Sequence, residues 1–136
     1  MSLVDNIVMQ ADVALNDSDK TFTVPAGKLW CLKFLQAKLI STATVGNRQM
    51  RIEIGDGTNL LWYINFGTTQ AASLTRYYYA AADLPNDVAF SVDKIRAWML
   101  TWVLPAGYTI RLYDSAAIAA GADDLEFRLL VEEIKP

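Results

Sequence analysis

The chain has 136 residues, with 12 Lys and Arg against 15 Asp and Glu, and no histidine. That length suits one domain with one core, and 53% hydrophobic against 20% charged residues lies far from a disordered composition. The net charge of −3 and the scattered arginines argue against direct nucleic-acid binding; the absent histidine excludes Ser-His-Asp and Cys-His nucleophiles, and a single cysteine, Cys31, excludes an intrachain disulfide.

Residues 1–20 mix apolar Leu3, Val4, Ile7, Val8, Met9, Val13 and Leu15 with acids. Two readings stand open there: the first strand of a sandwich, or an arm that pairs with a neighbouring subunit. The stretch has no basic region followed by a long apolar run, so it reads neither as a secretion signal nor as a membrane span. Residues 21–136 read as the sandwich domain itself.

"TFTVPAGKLWCL", Thr21 to Leu32, places Pro-Ala-Gly between two β-prone runs. Proline suits the second position of a type I turn and glycine the fourth. The motif returns in "TWVLPAGYTIRL", Thr101 to Leu112, and alignment pairs Thr21 with Thr101, Phe22 with Trp102, Val24 with Leu104 and Leu32 with Leu112. The two copies are expected to be equivalent corners between two packed sheets, as in a jelly roll. Cys31, within "LWCLKFL", is expected as a small buried thiol.

"RQMRIEI" alternates Arg48, Met50, Ile52 and Ile54 against Gln49, Arg51 and Glu53, so it predicts a strand with one wet face. "GDGTN" turns the chain and "LLWYINF" returns it, completing a hairpin. "SLTRYYYA" predicts an aromatic strand that "DLPND", Asp83 to Asp87, ends. "AWMLTWV" would put Trp98, Leu100 and Trp102 on one face, and "YTIRLYD" would do the same for Tyr108, Ile110 and Leu112. Only "SAAIAAGA", Ser115 to Ala122, favours helix, for a turn or two. "DLEFRLLVEEI" sets Leu125, Phe127, Leu129 and Val131 against Glu126, Arg128, Leu130 and Glu132, leaving one apolar residue on its polar side. The whole predicts an all-β, antiparallel, jelly-roll-like sandwich with at most one short helical turn.

Candidates for chemistry are few. A carboxylate pair would have to come from Glu53, Asp56, Asp83, Asp87, Asp93, Asp114, Asp123, Asp124 and Glu126, all expected to be solvated. Asp114, Asp123 and Asp124 do not follow the spacing of a recognised calcium loop, and Asp114 and Asp123 read instead as turn caps or strand starts. No catalytic, cofactor-binding or metal-binding residue is assigned. The aromatic residues Trp62, Tyr77, Tyr78, Tyr79, Trp98 and Trp102 are the candidate interface set, because rings fill β-sandwich cores and, where exposed, favour protein interfaces; a stacking platform for a glycan is the competing reading.

Taken together, "FTVPAGKLWCLKFLQAKLISTATVGNRQMRIEIGDGTN", "AASLTRYYYAAADLPND" and "LPAGYTIRLYDSAAIAAGADDLEFRLLVEEI" resemble small virion proteins from the structural modules of tailed bacteriophages, over about Thr21 to Ile134. The resemblance implies a non-enzymatic jelly-roll or related sandwich, made in the host cytoplasm and assembled on the particle. It implies a capsid decoration or cement protein, commonly trimeric, docked on the major capsid protein, with a tail or baseplate component as the alternative.

Overall fold

Alternation of apolar and polar residues produces strands throughout the computed structural model, which describes residues 6–82, 84 and 88–136, the last group and residue 6 without the side chains of 6 and 88–90. The strands are β1 (Asn6–Asp12), β2 (Asp19–Thr23), β3 (Leu29–Ile40), β4 (Met50–Gly55), β5 (Leu60–Asn65), β6 (Thr75–Ala81), β7 (Val88–Ser91), β8 (Lys94–Trp98), β9 (Val103–Pro105), β10 (Thr109–Asp114) and β11 (Asp124–Ile134). No described residue is helical. Most of the "DLPND" breaker lies outside the described residues.

Two sheets form. The larger has the order β1-β11-β3-β6-β8-β7, with β9 also on β3, and the smaller has the order β2-β10-β4-β5. Every pairing is antiparallel except that of β6 with β8. With β7 to β9 set aside, the contacts β4·β5, β3·β6, β2·β10 and β1·β11 are nested one inside the next, and β11·β3 and β10·β4 close the roll. That is the eight-stranded jelly-roll order. The parallel β6·β8 pair and the β7 strand are additions to it that the sequence pattern did not announce.

The Pro-Ala-Gly motifs are the paired corners. The first leads from β2 in the small sheet to β3 in the large one, and the second leads from β9 in the large sheet to β10 in the small one. They lie side by side, Val24 N donating to Tyr108 O at 2.9 Å and Gly107 N to Val24 O at 3.0 Å, and both Val24 and Leu104 enter the core. The turn type differs from the expectation. Lys28 N donates to Pro25 O and Tyr108 N to Pro105 O, so proline stands first and glycine third, with φ of +73° at Gly27 and +87° at Gly107. A positive φ at the third position makes these type II turns.

Between the sheets lie Trp30, Leu32, Leu35, Ala37 and Leu39 of β3, Met50, Ile52 and Ile54 of β4, Ile110 and Leu112 of β10, and Leu125, Phe127, Leu129 and Val131 of β11. In β3 the inward set changes phase at Lys33, where the pairing with β11 slips between Leu130 and Val131. This bulge lets one long strand keep apolar residues inward along its whole length.

The end of the sandwich away from the two corners is closed by buried polar groups. Arg48, fully buried on the face that the alternation assigned it, donates from Nε to Asp123 Oδ2 at 2.8 Å and from Nη1 to the carbonyls of Thr44 and Gly46. Asp123 Oδ1 also accepts from Thr42 N at 2.9 Å. Gln70 donates to Leu39 O and Leu74 O and accepts from the Tyr78 hydroxyl at 2.9 Å. Asp114 receives Gln49 N, Ala116 N and Ile118 N. Asp114 and Asp123 are therefore buried staples, not the wet carboxylates expected. In "SAAIAAGA", Ala117 and Ala119 adopt positive φ, so the segment is a series of turns held by Asp114 in place of the helical turn that its propensity favours.

Candidate interaction face

The outer face of the large sheet is divided along the strands. Toward the closed end it is charged and paired internally: Lys38 with Glu126 at 3.7 Å, Arg128 with Glu126 at 3.2 Å and with Gln36 at 3.2 Å. Tyr77 belongs to this half, its ring flanked by Lys38 Nζ at 6.0 Å and Lys94 Nζ at 5.5 Å.

Toward the corners the same face is apolar. Met9 pairs with Leu130 and Leu130 with Phe34; one step beyond the Leu35 to Ala80 pair brings Phe34 level with Ala81, which pairs with Trp98. The row Met9, Leu130, Phe34, Ala81, Trp98 thus crosses five strands, and Met9 is 50% and Trp98 38% exposed. Ile7 and Val103, both exposed, extend it toward the corners, and Tyr79 packs on Phe34 with ring centroids 6.2 Å apart. Phe34, Tyr79, Leu84 and Arg96 line a shallow socket of about 210 Å³ within this half. The Lys33 to Glu132 ion pair at 3.3 Å sits among these residues. A contiguous apolar patch of this kind is what interaction sites present.

The six candidate aromatics are therefore separated. Tyr79 and Trp98 share the apolar half-face, and Tyr77 stands in the charged half. Trp62 and Trp102 pack together at 5.8 Å against the core, bridging β5 to the segment ahead of β9. Tyr78 is fully buried, its ring edge-on to Phe66 at 4.9 Å, and burial raises its hydroxyl pKa well above the ordinary value; it presents nothing to a partner. The expected common face for Trp98, Leu100 and Trp102 does not form, because β8 ends at Trp98 and the inward residues are Ala97 and Met99. Cys31 is not in the core either; it lies on the outer face and is partly exposed. Met9, Phe34 and Val103 were not signalled by their sequence context. Leu130 was, as the apolar residue on the polar side of β11.

The outer face of the small sheet carries a lattice of charges and rings. Arg111 donates to Asp19 from Nε at 2.8 Å and from Nη2 at 2.7 Å, reaches Glu53 at 3.5 Å and lies 3.6 Å over the Tyr113 ring. The hydrogen bond to Asp19 holds the Arg111 pKa above its ordinary value. Tyr113 donates to Glu53, and burial followed by that hydrogen bond raises its pKa. Arg51 donates to Asn65 at 2.8 Å and sits 4.3 Å from the Tyr63 ring. A cleft of about 210 Å³ opens beside this lattice, lined by Thr21, Glu53, Gly57, Asn59, Thr109 and Arg111. Among the described residues no group of three or more Cys, Asp and Glu is placed to hold a metal ion.

The chain matches no protein-family model and no curated protein. Among solved structures it is similar to the infectious bursal disease virus VP2 subviral particle, at 12% identity and a TM-score of 0.34 over 97% of this chain and 34% of that one. It is also similar to an agarase, at 12% identity and a TM-score of 0.36 over 96% and 22% of the two chains. Dimeric latent PorU from Porphyromonas gingivalis gives 12% identity and a TM-score of 0.39 over 93% of this chain and 11% of that one. The chain spans about a third or less of the length of each.

Proposed function

We propose that the protein is a non-enzymatic virion subunit of a tailed phage, a capsid decoration or cement protein that self-associates as a trimer and docks on the major capsid protein. The resemblance of Thr21 to Ile134 to small phage virion proteins supplies the biological setting. The observation that carries the reading is the apolar row Met9, Leu130, Phe34, Ala81, Trp98 across one half of an otherwise charged and internally paired face. Burying that half against another subunit removes apolar area from water, at about 25 cal/mol per Å². A subunit that binds only the assembled shell stabilises that shell through mass action.

Rings that offered a free face to a sugar would favour the glycan-binding alternative. Here Tyr63, Tyr77 and Tyr113 each have a neighbouring Arg or Lys over the ring, which favours assembly instead.

The test is light scattering of the purified protein across a dilution series, followed by binding to expanded capsids that lack it. Trimers that persist on dilution and bind such capsids are expected, and Met9→Lys with Leu130→Lys, both at solvent-facing positions, should abolish self-association without unfolding the monomer. A monomer at every dilution that also ignores the capsids overturns the proposal.

A further inference from the structure

Lys20 occupies an inward position of β2, opposite Leu112 of β10, and only 3% of its surface is exposed. An ammonium taken out of water is costly unless other oxygens replace the water. The connection between β1 and β2 supplies them. Lys20 Nζ donates to Ala14 O at 2.9 Å and to Asn16 Oδ1 at 2.6 Å, and it lies 3.3 Å from Asp12 Oδ1 and 3.1 Å from Asp17 Oδ1. Residues 12–17 are thus wrapped around one cationic nitrogen, whose three N–H groups are shared among four oxygens.

The strand ahead of this loop has little else to hold it. Among the described strands, β1 pairs with β11 alone. None of its described side chains is fully buried, and Val8 is the one that packs against the core. Asp12, the last residue of β1, belongs to the ring of oxygens itself, and Asp17 O accepts from Leu125 N of β11 at 2.9 Å. Lys20 therefore joins the edge strand of the small sheet to the end of the edge strand of the large one.

We infer that Lys20 is a latch for β1: the first strand stays on its sheet because the loop behind it is closed around this ammonium, and it comes away locally when the ammonium is removed. Ile7 and Met9 stand on β1, so the latch also positions two exposed members of the apolar half-face. The inference does not rest on the virion reading, because the monomer alone displays it.

Amide hydrogen exchange by NMR, on dilute protein, tests it. Lys20→Met keeps an apolar stem inside and removes the charge, and Asp12 and Asp17, 40% and 42% exposed, retain water, so the chain should fold. At the β1 amides that bond β11, exchange should quicken about tenfold or more and should be insensitive to low urea, which marks a local opening. Amides of β4 should still open only with the whole fold and keep its full urea dependence. Asn16→Ala, at an exposed position, should give a smaller change in the same strand. In Lys20→Ala, added n-propylammonium should restore the protection of β1, whereas tetramethylammonium, which has no N–H to donate, should not. Unchanged exchange in β1 of Lys20→Met overturns the proposal, and so does exchange there with the same rate and urea dependence as in β4, which would make Lys20 a support of the whole fold and not a latch. Equal rescue by both cations overturns it as well.

Discussion

Arg48 shows how much one side chain can organise. Its guanidinium ties Asp123, Thr42, Thr44 and Gly46 together, with both charges fully out of water. Arg48→Met would leave the Asp123 carboxylate buried without its counter-charge, and such a loss costs about 3–5 kcal/mol. Urea unfolding should report that loss, and the double variant Arg48→Met with Asp123→Leu should recover most of it. Asp56 is the opposite case, a solvent-facing carboxylate. Its Oδ1 accepts from Asn59 N at 2.6 Å and Thr58 N at 2.8 Å, which lowers its pKa below the ordinary 3.8. A carboxylate whose folded pKa is depressed contributes stability above its unfolded pKa and loses it as the pH falls through the folded value. An NMR titration should find the Asp56 midpoint below 3.8, and Asp56→Asn should flatten the acid limb of the stability profile. Alternation alone placed Arg48 inward beside Met50, Ile52 and Ile54. What it did not contain was the partner, because Asp123 lies 75 residues away and is brought there by the roll.

At the scale of elements, the repeated Pro-Ala-Gly was readable as paired corners, because proline fixes φ near −65° and glycine two residues on accepts the positive φ that a tight turn can require. The turn type was not readable, since type I and type II share that composition and differ in one peptide orientation. The geometry separates three glycines by expected cost. An added Cβ at Gly27 or Gly107 meets nothing within 4 Å, so Gly27→Ala and Gly107→Ala should cost only the left-handed backbone penalty, about 1–2 kcal/mol. At Gly57, φ is +95° and an added Cβ would lie 3.0 Å from Gly107 O, so Gly57→Ala should cost more than either; chemical denaturation of the three variants checks the order. The β6·β8 parallel pair was illegible for a different reason. Alternation pointed to a strand over "AWMLTWV", whereas β8 runs Lys94–Trp98, and the choice of edge is made by tertiary packing and not by local pattern. The apolar half-face was readable only in fragments, Leu130, Tyr79 and Trp98, since its residues come from five strands that the fold alone brings side by side.

On the scale of the whole molecule, the small sheet's outer face carries a lattice of charges and rings, and the proposed association falls to the apolar half of the large sheet's outer face. In the corner half of the large sheet's outer face, Lys33 is paired with Glu132 within the chain and the rest of the row is apolar, so added salt should weaken the proposed self-association little, whereas a contact made by charged surfaces would fall steeply. Light scattering at low and high ionic strength distinguishes the two. The nested strand order has a further meaning in time. In an unfolded chain the β4 to β5 turn closes a loop of a few residues, whereas joining β1 to β11 closes one of more than a hundred, at a difference of about 3 kcal/mol in chain entropy. Assembly of the roll should run outward from the β4–β5 hairpin, on the millisecond-to-second scale of all-β proteins, with β1 arriving last. Until it arrives, β11 offers a vacant flank that the β1 of a neighbouring chain fits equally well. Local chain density during synthesis then becomes a variable of the product: sparse chains complete themselves, and crowded ones can trade their first strand.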